Sequence, residues 1–279
     1  MIRKILFPVD FSPSCAAMAA YVQRAAALCR ATVSLVHVCD LASHSGFELY
    51  VRPGNEIAEE HWNVAKEKLE QFLIAEFPRA MSKRFLLTGE AATAIAETAK
   101  KGEFDLIVMP THAGRFRRML IGSTVAKVLD DAGCPVLTSQ HAEAVAPRSL
   151  EHRTWLCAVD LSPDSLRVLH SAKSAAAEVG ATLSLVHVIP AVGASAAAEL
   201  TSGEPAARQR LSHLASAADF DGQATIVAGA VKETLLHAAA AAHADVLVVG
   251  RSARPGVLGR MRDLTYALVR DSVCPVVSV

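Results

Sequence analysis

Histidine and cysteine side chains are the first candidates for chemistry in this sequence, because they bind metals and act as bases or nucleophiles. The 11 His and 6 Cys show no spacing that forms a recognisable zinc site. His37 and His187 lie in apolar segments, where a core or strand-end role is favoured over a metal ligand. His112 has no nucleophile and acid with which to form a triad, so we interpret it as a loop or ligand contact. The sequence therefore predicts neither a metal site nor a catalytic residue.

The usual sequence signatures of phosphate and nucleic-acid binding are missing. The sequence has no GxxxxGK followed by Ser or Thr, and no GxGxxG after its first predicted strand, which argues against a P-loop ATPase and a dinucleotide oxidoreductase. Trp62 and Trp155 do not form a stacking platform for single strands. Lys plus Arg and Asp plus Glu both number 28, so the net charge of +0 favours neither nucleic acid nor an anionic membrane as a partner.

The cysteine pattern and the apolar segments predict a cytoplasmic protein. The six Cys have no paired spacing, which suits free thiols in a reducing compartment. For Cys39, a structural role is favoured over a redox-sensitive thiol. The apolar run before Asp10 is only about five residues long, too short for a signal peptide, and no stretch approaches the ~18 apolar residues of a membrane span.

An internal repeat covers nearly the whole chain. FPVDFSPS at residues 7–14 returns as CAVDLSPD at residues 157–164, an offset of 150. Cys134-Pro-Val returns as Cys274-Pro-Val, an offset of 140. A repeat of this length is the size of a domain, so it indicates a tandem duplication of a whole domain. We predict domains at residues 1–140 and 153–279, joined by a polar linker near residues 141–153.

Within each copy, short apolar runs alternate with longer helical patterns, which predicts βαβ units around a parallel sheet. Ser12 and Ser162 are predicted helix caps rather than ligands, and Pro13 takes the first helical position. In the second copy we predict a shorter, Ala-rich second helix at about 204–217. The first copy is predicted to have strands at Lys4–Val9, Thr32–Val38, about 83–87, Asp105–Met109 and Pro135–Ser139, and helices from Ser12 to about Cys29, at about 55–76, at about 91–100 and at about 123–131.

Four motifs mark the first copy, and most of them return in the same order in the second copy. They are Val9-Asp-x-Ser, Leu-Val-His-Val ending at Val38, Asp105-Leu-Ile-Val-Met-x-Thr-His, and Gly122-Ser ahead of Cys-Pro-Val. Together they resemble the universal stress protein family. The resemblance implies an α/β protein of two tandem doubly wound, five-stranded parallel-sheet domains, of strand order 3-2-1-4-5 and adenine-nucleotide alpha hydrolase-like. In one branch of the family it also implies an ATP site at the carboxyl ends of the strands, where open α/β sheets generally bind ligands.

The family's phosphate loop is partly retained in the first copy. Nucleotide-binding members carry Gly-x-x-Gly, nine residues, and then Gly-Ser or Gly-Thr, because glycines allow close approach and a helix N-terminus attracts phosphate. Here Pro110 and Ala113 replace the first two glycines, and eight residues rather than nine separate Ala113 from Gly122. Gly114 offers some of the flexibility that Ala113 lacks, and Pro110 removes one backbone donor.

The resemblance places Asp10 near the adenine and ribose, with Val38 and Met109 beside the base. The residues alone leave a second interpretation of Asp10 open, as a turn residue that stabilises the start of the first helix. The nucleotide-binding set implied for the first copy is Asp10, Val38, Met109, Thr111, His112, Gly114, Gly122, Ser123 and Thr124.

The second copy is predicted not to bind ATP in the family manner. Arg262-Asp263 replaces the Gly-Ser, so a carboxylate is expected at the helix N-terminus where a phosphate would lie. Two unit charges 4 Å apart repel by about 4 kcal/mol at an effective dielectric constant of 20. The arginines of this loop are interpreted as a charged surface in preference to a site for another anion.

The leading hypothesis is a tandem universal stress protein, a stress-response factor whose first domain binds ATP or a related nucleotide, with Mg²⁺ as the accompanying ion. The alternative is a stress or interaction scaffold in which both sites are defunct. A third hypothesis is slow nucleotide hydrolysis, for which the sequence shows no positioned base, so no further enzyme activity is predicted. Family members dimerise through strand five, which implies an intramolecular pseudo-dimer of the two copies and a homodimer of chains.

Overall fold

The computed structural model describes residues 1–39, 54–111, 121–139, 152–191, 196–251 and 258–279. The chain divides into two compact units, one formed mainly by residues 2–136 and the other mainly by residues 145–279. In the described part of the chain, no helix is long and apolar enough to cross a membrane.

The N-terminal unit alternates strands and helices. Its sheet has the order β3-β2-β1-β4-β5 and parallel pairing, as predicted. The elements are β1 (Lys4–Pro8), α1 (Pro13–Cys29), β2 (Thr32–Cys39), α2 (Gly54–Gln71), β3 (Ser82–Thr88), α3 (Ala91–Lys101), β4 (Leu106–Pro110), α4 (Ser123–Asp131) and β5 (Val136–Ser139).

The C-terminal unit repeats this arrangement. Its strands follow the equivalent order β8-β7-β6-β9-β10, again with parallel pairing. The elements are β6 (Thr154–Ala158), α5 (Ser165–Val179), β7 (Thr182–Pro190), α6 (Ala196–Ala217), β8 (Ala224–Gly229), α7 (Val231–Ala241), β9 (Val246–Val249), α8 (Leu258–Asp271) and β10 (Val276–Ser278). Each unit is therefore a doubly wound five-stranded parallel sheet.

The central strands β1 and β4 are apolar apart from Lys4 at the start of β1, because helices cover both faces of the sheet. All five residues of β4 are buried, and Phe7 of β1 has no exposed surface. Phe7 lies opposite Leu35 of β2, which is also fully buried. This core holds the carboxyl ends of β1, β2 and β4 side by side at one edge of the sheet.

A repeated aspartate fixes the first strand of each unit beside the fourth. Asp105 accepts hydrogen bonds at Oδ2 from the backbone N–H groups of Arg3 and Lys4, at 2.7 and 2.9 Å. Asp245 makes the equivalent pair of bonds at the start of β6, also at 2.7 and 2.9 Å. The Asp of the repeated Asp-Leu-Ile-Val and Asp-Val-Leu-Val segments therefore has a structural role.

Two helix lengths differ from the sequence-based expectations. Helix α2 ends at Gln71 rather than near residue 76, and Leu73 then adopts a left-handed φ of 52°. Helix α6 was expected to be short but has 22 residues, against 18 in α2, and it runs through Pro205. Proline inside a helix costs about 3 kcal/mol. The packing of α6 on β7 and β8, which buries Leu211, offsets that cost.

Candidate functional site

The N-terminal unit has a cavity of about 240 Å³ at the carboxyl ends of β1, β2 and β4, beside the start of α4. Of the nucleotide-binding set expected from the sequence, His112 and Gly114 lie outside the described residues. The other seven members all line this one cavity: Asp10, Val38, Met109, Thr111, Gly122, Ser123 and Thr124.

Asp10 is a turn residue, which was one of the two interpretations that the sequence left open. Its Oδ1 accepts a hydrogen bond from the backbone N–H of Ser12 at 2.9 Å, which forms a turn ahead of α1. The Ser12 hydroxyl in turn accepts from the N–H of Cys15 at 3.3 Å, so Ser12 is the predicted helix cap. The Asp10 carboxylate is nevertheless exposed and lines the cavity. It is thus a turn residue that also remains available to a ligand.

The thiol of Cys15 lines the same cavity, and it is held in its protonated form. Burial raises its pKa far above the ordinary value, and the negative charge of Asp10 raises it further. A thiol in this state is a poor nucleophile, because only the thiolate reacts. Cys15 therefore contributes shape to the cavity rather than reactivity.

His37 is anchored at the rim of the cavity by a bond to the first strand. Its Nδ1 lies 2.7 Å from the carbonyl oxygen of Val9, so Nδ1 carries a proton and donates it. In the neutral ring this leaves Nε2 as an acceptor. The ring of Phe11 packs against His37 with centroids 4.2 Å apart, and Phe11 has a left-handed φ of 62°. The contact between Phe11 and His37 was not predicted from the sequence, since nothing in the motif indicates a left-handed residue after Asp10.

The N-terminus of α4 supplies the candidate phosphate site. Gly122 is the N-cap of this helix, and no side chain caps it. The first backbone N–H groups of a helix have no acceptor within the helix, and the helix dipole adds partial positive charge there. A Cβ atom on Gly122 would lie 3.6 Å from the carbonyl oxygen of Thr111, an ordinary contact. The glycine is therefore not required by the fold, and its small size leaves the helix end open.

Pro110 replaces the first glycine of the family's phosphate-loop pattern, at the carboxyl end of β4. It is the buried last residue of β4 and lines the cavity. Because proline lacks a backbone N–H, this position offers no hydrogen bond to a phosphate. Among the residues that the structure describes, the start of α4 is a source of backbone donors at this end of the cavity.

The C-terminal unit has a larger cavity, of about 370 Å³, at the matching edge of its sheet. Asp160 lines it and accepts hydrogen bonds at Oδ1 from the N–H of Ser162 at 2.9 Å and the hydroxyl of Ser165 at 2.8 Å. Burial raises the pKa of Asp160, but these hydrogen bonds outweigh burial, so its pKa lies below the ordinary value. His187 donates from Nδ1 to the carbonyl oxygen of Val159 at 2.8 Å, as His37 does in the other unit.

Two sequence-based expectations for the C-terminal unit are wrong. Asp263 is not at a helix N-terminus, because α8 begins at Leu258, five residues earlier. Ser162 is not a helix cap, because α5 begins at Ser165 with Asp164 as its N-cap and without a side-chain cap. In this unit the hydroxyl of Ser165 binds Asp160, where the first unit has Cys15. The local sequences match, but the helices that follow them begin at different positions.

No group of three or more metal-ligating side chains occurs among the residues that the structure describes. None of the six cysteines, all of which the structure describes, forms a disulfide bond, and burial raises the pKa of Cys39. Neither observation adds a metal-binding group or a reactive thiol to the described lining of the two cavities.

Comparisons with known proteins agree with the fold. The model of the universal stress protein family matches residues 1–139 and again residues 151–279. No curated protein matches the chain. Among solved structures, the chain is similar to a universal stress protein from Archaeoglobus fulgidus, with 22% identity, a TM-score of 0.67 and coverage of 99% of this chain and 97% of that chain. It is also similar to a putative universal stress protein from Pseudomonas aeruginosa, with 17% identity, a TM-score of 0.65 and coverage of 100% and 93%. At these identities the likeness shows the fold.

Proposed function

Because this chain belongs to the universal stress protein family, we propose that its N-terminal unit binds ATP or a related adenine nucleotide. One observation carries the proposal. A single cavity is lined both by the exposed carboxylate of Asp10 and by Gly122 at the uncapped N-terminus of α4. The first can accept hydrogen bonds from ribose hydroxyls, and the second can donate to phosphate oxygens.

The lining and the volume of the cavity suggest which part of the nucleotide lies inside it and which part lies at its opening. Val38 and Met109 offer apolar surface for a base, and both line the cavity. Its volume of about 240 Å³ is below the range of roughly 300 to 1,000 Å³ of common ligand pockets. We therefore expect the base and ribose to lie inside, with the phosphates at the opening beside Ser123 and Thr124.

Mg²⁺ is expected to bind together with the phosphates of the nucleotide. This ion keeps several of its waters and is commonly held by one or two carboxylates together with phosphate oxygens. The described part of the cavity offers one carboxylate, that of Asp10. The expected role of the ion is to neutralise phosphate charge. Slow hydrolysis is a separate hypothesis, supported only if ADP accumulates over time and an Asp10→Ala variant stops it.

The alternative is a stress or interaction scaffold that binds no nucleotide. Pro110 favours it, because this buried residue removes a backbone donor where nucleotide-binding relatives have a glycine. The uncapped α4 favours nucleotide binding, because an exposed helix N-terminus gains stability from a bound anion. The two functions give opposite results in one experiment.

That experiment is thermal unfolding of the full chain with and without Mg-ATP, for the wild type, Gly122→Asp and Gly122→Asn. A Cβ atom at residue 122 makes only an ordinary contact with Thr111, and Asp and Asn are both good N-caps, so neither substitution should destabilise α4. They differ in charge. A carboxylate 4 Å from a phosphate charge costs about 4 kcal/mol at an effective dielectric constant of 20.

Ligand at 100 times its Kd should stabilise the wild type by about 2.7 kcal/mol. We expect the stabilisation to persist in Gly122→Asn, at least in part, and to disappear in Gly122→Asp. No stabilisation of the wild type at millimolar Mg-ATP would refute nucleotide binding and leave the scaffold. Equal stabilisation of all three proteins would place the nucleotide elsewhere than the start of α4.

We also propose, from the family resemblance, that the two copies pair through their fifth strands, that chains form a homodimer, and that the protein is cytoplasmic. Light scattering coupled to size-exclusion chromatography tests the dimer. A mass of 29.5 kDa at all concentrations would contradict it.

A further inference from the structure

The segments that lead into the two edge strands are equivalent in the two units. Residues 78–83, the basic turn, lead into β3, and residues 218–223, the acidic turn, lead into β8, at an offset of 140. The strand pairing agrees with this offset, because Arg84 and Ala224 lie opposite residues of β2 and β7 that themselves match in the repeat. Both turns lie at the amino ends of their strands, whereas the two cavities lie at the carboxyl ends.

The two turns carry opposite charges. The basic turn contains Arg79 and Lys83 and no acid, so its charge is +2. The acidic turn contains Asp219 and Asp221 and no Lys or Arg, so its charge is −2. All four of these residues are exposed. The duplication has therefore left one chain with two equivalent surfaces of opposite sign.

These charges have few partners within their own units. In the described part of the chain, neither Lys83 nor Asp221 makes an ion pair. Arg79 contacts Glu70 through Nε at 3.0 Å, and no described residue accepts from its two terminal nitrogens. Asp219 contacts a lysine of α5 at 3.2 Å, and its side chain is fully exposed. Exposed pairs of this kind are weak, so they compete little with a pair formed between two molecules.

Both turns are held in shape by hydrogen bonds within their own units. In the basic turn, the hydroxyl of Ser82 donates to the carbonyl oxygens of Phe77 and Pro78 at 2.9 and 3.0 Å. In the acidic turn, the backbone N–H of Phe220 donates to the carbonyl oxygen of Ala215 at 2.9 Å. Preformed surfaces lose little conformational entropy on association. The charged groups are therefore presented in fixed positions.

Each turn also has an apolar side chain between its two charged residues. In the basic turn this is Met81, which is 77% exposed. In the acidic turn it is Phe220, which is half-buried. Contacts between a thioether and an aromatic ring are favourable. The two turns thus match in both charge and apolar character.

We propose that the basic turn of one chain binds the acidic turn of a second copy of this chain. The occupant is a second copy because every chain carries both members of the complementary pair, and electrostatic complementarity selects the partner and the orientation. Two copies can exchange two such contacts, or further copies can add head to tail. The inference rests on the proposed homodimer of chains, for which it names the surface, and it is independent of nucleotide binding.

Sedimentation velocity of the full chain without nucleotide tests this inference. Two short turns form a small contact, so we expect a weak association that depends on protein concentration. In about 50 mM salt, the average mass should rise above 29.5 kDa as the concentration increases. In about 500 mM salt, the association should be at least about tenfold weaker, because salt screens exposed charges.

Charge reversal separates the turns from other surfaces. Arg79→Glu with Lys83→Glu makes the basic turn acidic, and Asp219→Lys with Asp221→Lys makes the acidic turn basic. Each pair of changes alone should weaken association at least about tenfold, because like charges then meet. The variant with all four changes keeps the net charge of the wild type and has complementary turns again. Its association should therefore return.

Each outcome decides the inference. Monomers at about millimolar protein in low salt would overturn both this inference and the homodimer. Association that the charge reversals leave unchanged would keep the homodimer and overturn the inference, since the chains then meet elsewhere. Poly-glutamate binding that Arg79→Glu with Lys83→Glu abolishes, without association of wild-type chains, would also overturn it in favour of a different acidic partner. Should the double lysine variant fail to fold, Asp221→Lys alone is the second variant, with at least about threefold weaker association expected.

Discussion

The imidazole of His37 donates its Nδ1 proton to the carbonyl oxygen of Val9 at 2.7 Å, and so ties the end of β2 to the end of β1 at the rim of the N-terminal cavity. The same bond joins His187 to Val159 at 2.8 Å in the C-terminal unit. The Leu-Val-His-Val repeat therefore encodes a structural bond that also fixes the tautomer of a ring lining each cavity.

Replacing either histidine should destabilise its own unit. His37→Leu and His187→Leu are each expected to lower the free energy of unfolding by about 1 to 3 kcal/mol, because a carbonyl loses its donor at a partly buried position. Urea denaturation measures the loss. Asn places an amide donor near the position of Nδ1, so His37→Asn should lower the free energy of unfolding less than His37→Leu does. Equal losses for Leu and Asn at residue 37 would show that the hydrogen bond contributes nothing.

The guanidinium of Arg84 should contribute strongly to the stability of the N-terminal unit. It donates to the carbonyl oxygens of Leu69, Phe72 and Phe77 at 2.8, 3.0 and 2.9 Å. These bonds give acceptor carbonyl groups at and after the end of α2 a hydrogen-bond donor. Hydrogen bonds from charged groups are worth about 1.5 to 3 kcal/mol each, so we expect Arg84→Met to cost at least about 2 kcal/mol.

The control for Arg84 is a neighbouring arginine in an exposed ion pair. Arg79 contacts Glu70 at 3.0 Å with 61% of its side chain exposed, and such pairs contribute only about 0 to 1 kcal/mol. Arg79→Met should therefore change the denaturation midpoint little. A loss for Arg79→Met as large as that for Arg84→Met would contradict the capping role of Arg84.

Protonation of Glu90 at acid pH should lower the stability of the N-terminal unit. This N-cap carboxylate accepts from the backbone N–H and the hydroxyl of Thr93 and pairs with Lys127, and these bonds lower its pKa from 4.5 to about 2. A lowered folded-state pKa stabilises the fold above the unfolded pKa, and the contribution is lost as the pH falls from about 4.5 towards 2.

The Glu90→Gln variant tests this linkage. Its stability should fall less steeply than that of the wild type between pH 5 and pH 3, because Gln cannot take up the proton. Denaturation curves of both proteins across that range give the two slopes. Thr93→Val keeps the backbone donor but removes the hydroxyl, so its slope should lie between them. Parallel curves for the wild type and Glu90→Gln would refute a role for this carboxylate in the acid response.

Native cysteine labelling should be selective. Cys134 is half-buried, whereas the other five cysteines are buried, and burial raises the pKa of Cys157 to about 12. Because only thiolates react quickly, iodoacetamide should modify Cys134 first in the folded protein and all six cysteines after unfolding. Mass spectrometry of timed samples checks the order. Early modification of Cys39 would revive its interpretation as a redox-sensitive thiol.

The local signals of the sequence predicted the elements well wherever the deciding interactions are themselves local. Ser12 caps α1 as expected, because its hydroxyl reaches an N–H only three residues away. The same motif at Ser162 does not cap a helix, since the side chains around Asp160 form a different set of bonds and α5 begins at Ser165. A matching motif thus led to a wrong prediction once its neighbours differed.

From the sequence it was possible to predict that this protein has two copies of one α/β domain and, through the family resemblance, the order of the strands. These properties follow from hydrophobic periodicity, internal repetition and short-range caps. The tertiary structure alone decided that α8 begins at Leu258, that α6 continues through Pro205, and that the larger cavity lies in the C-terminal unit. Helix ends and cavities depend on side chains brought together from distant segments, and packing outweighs local propensity at those points.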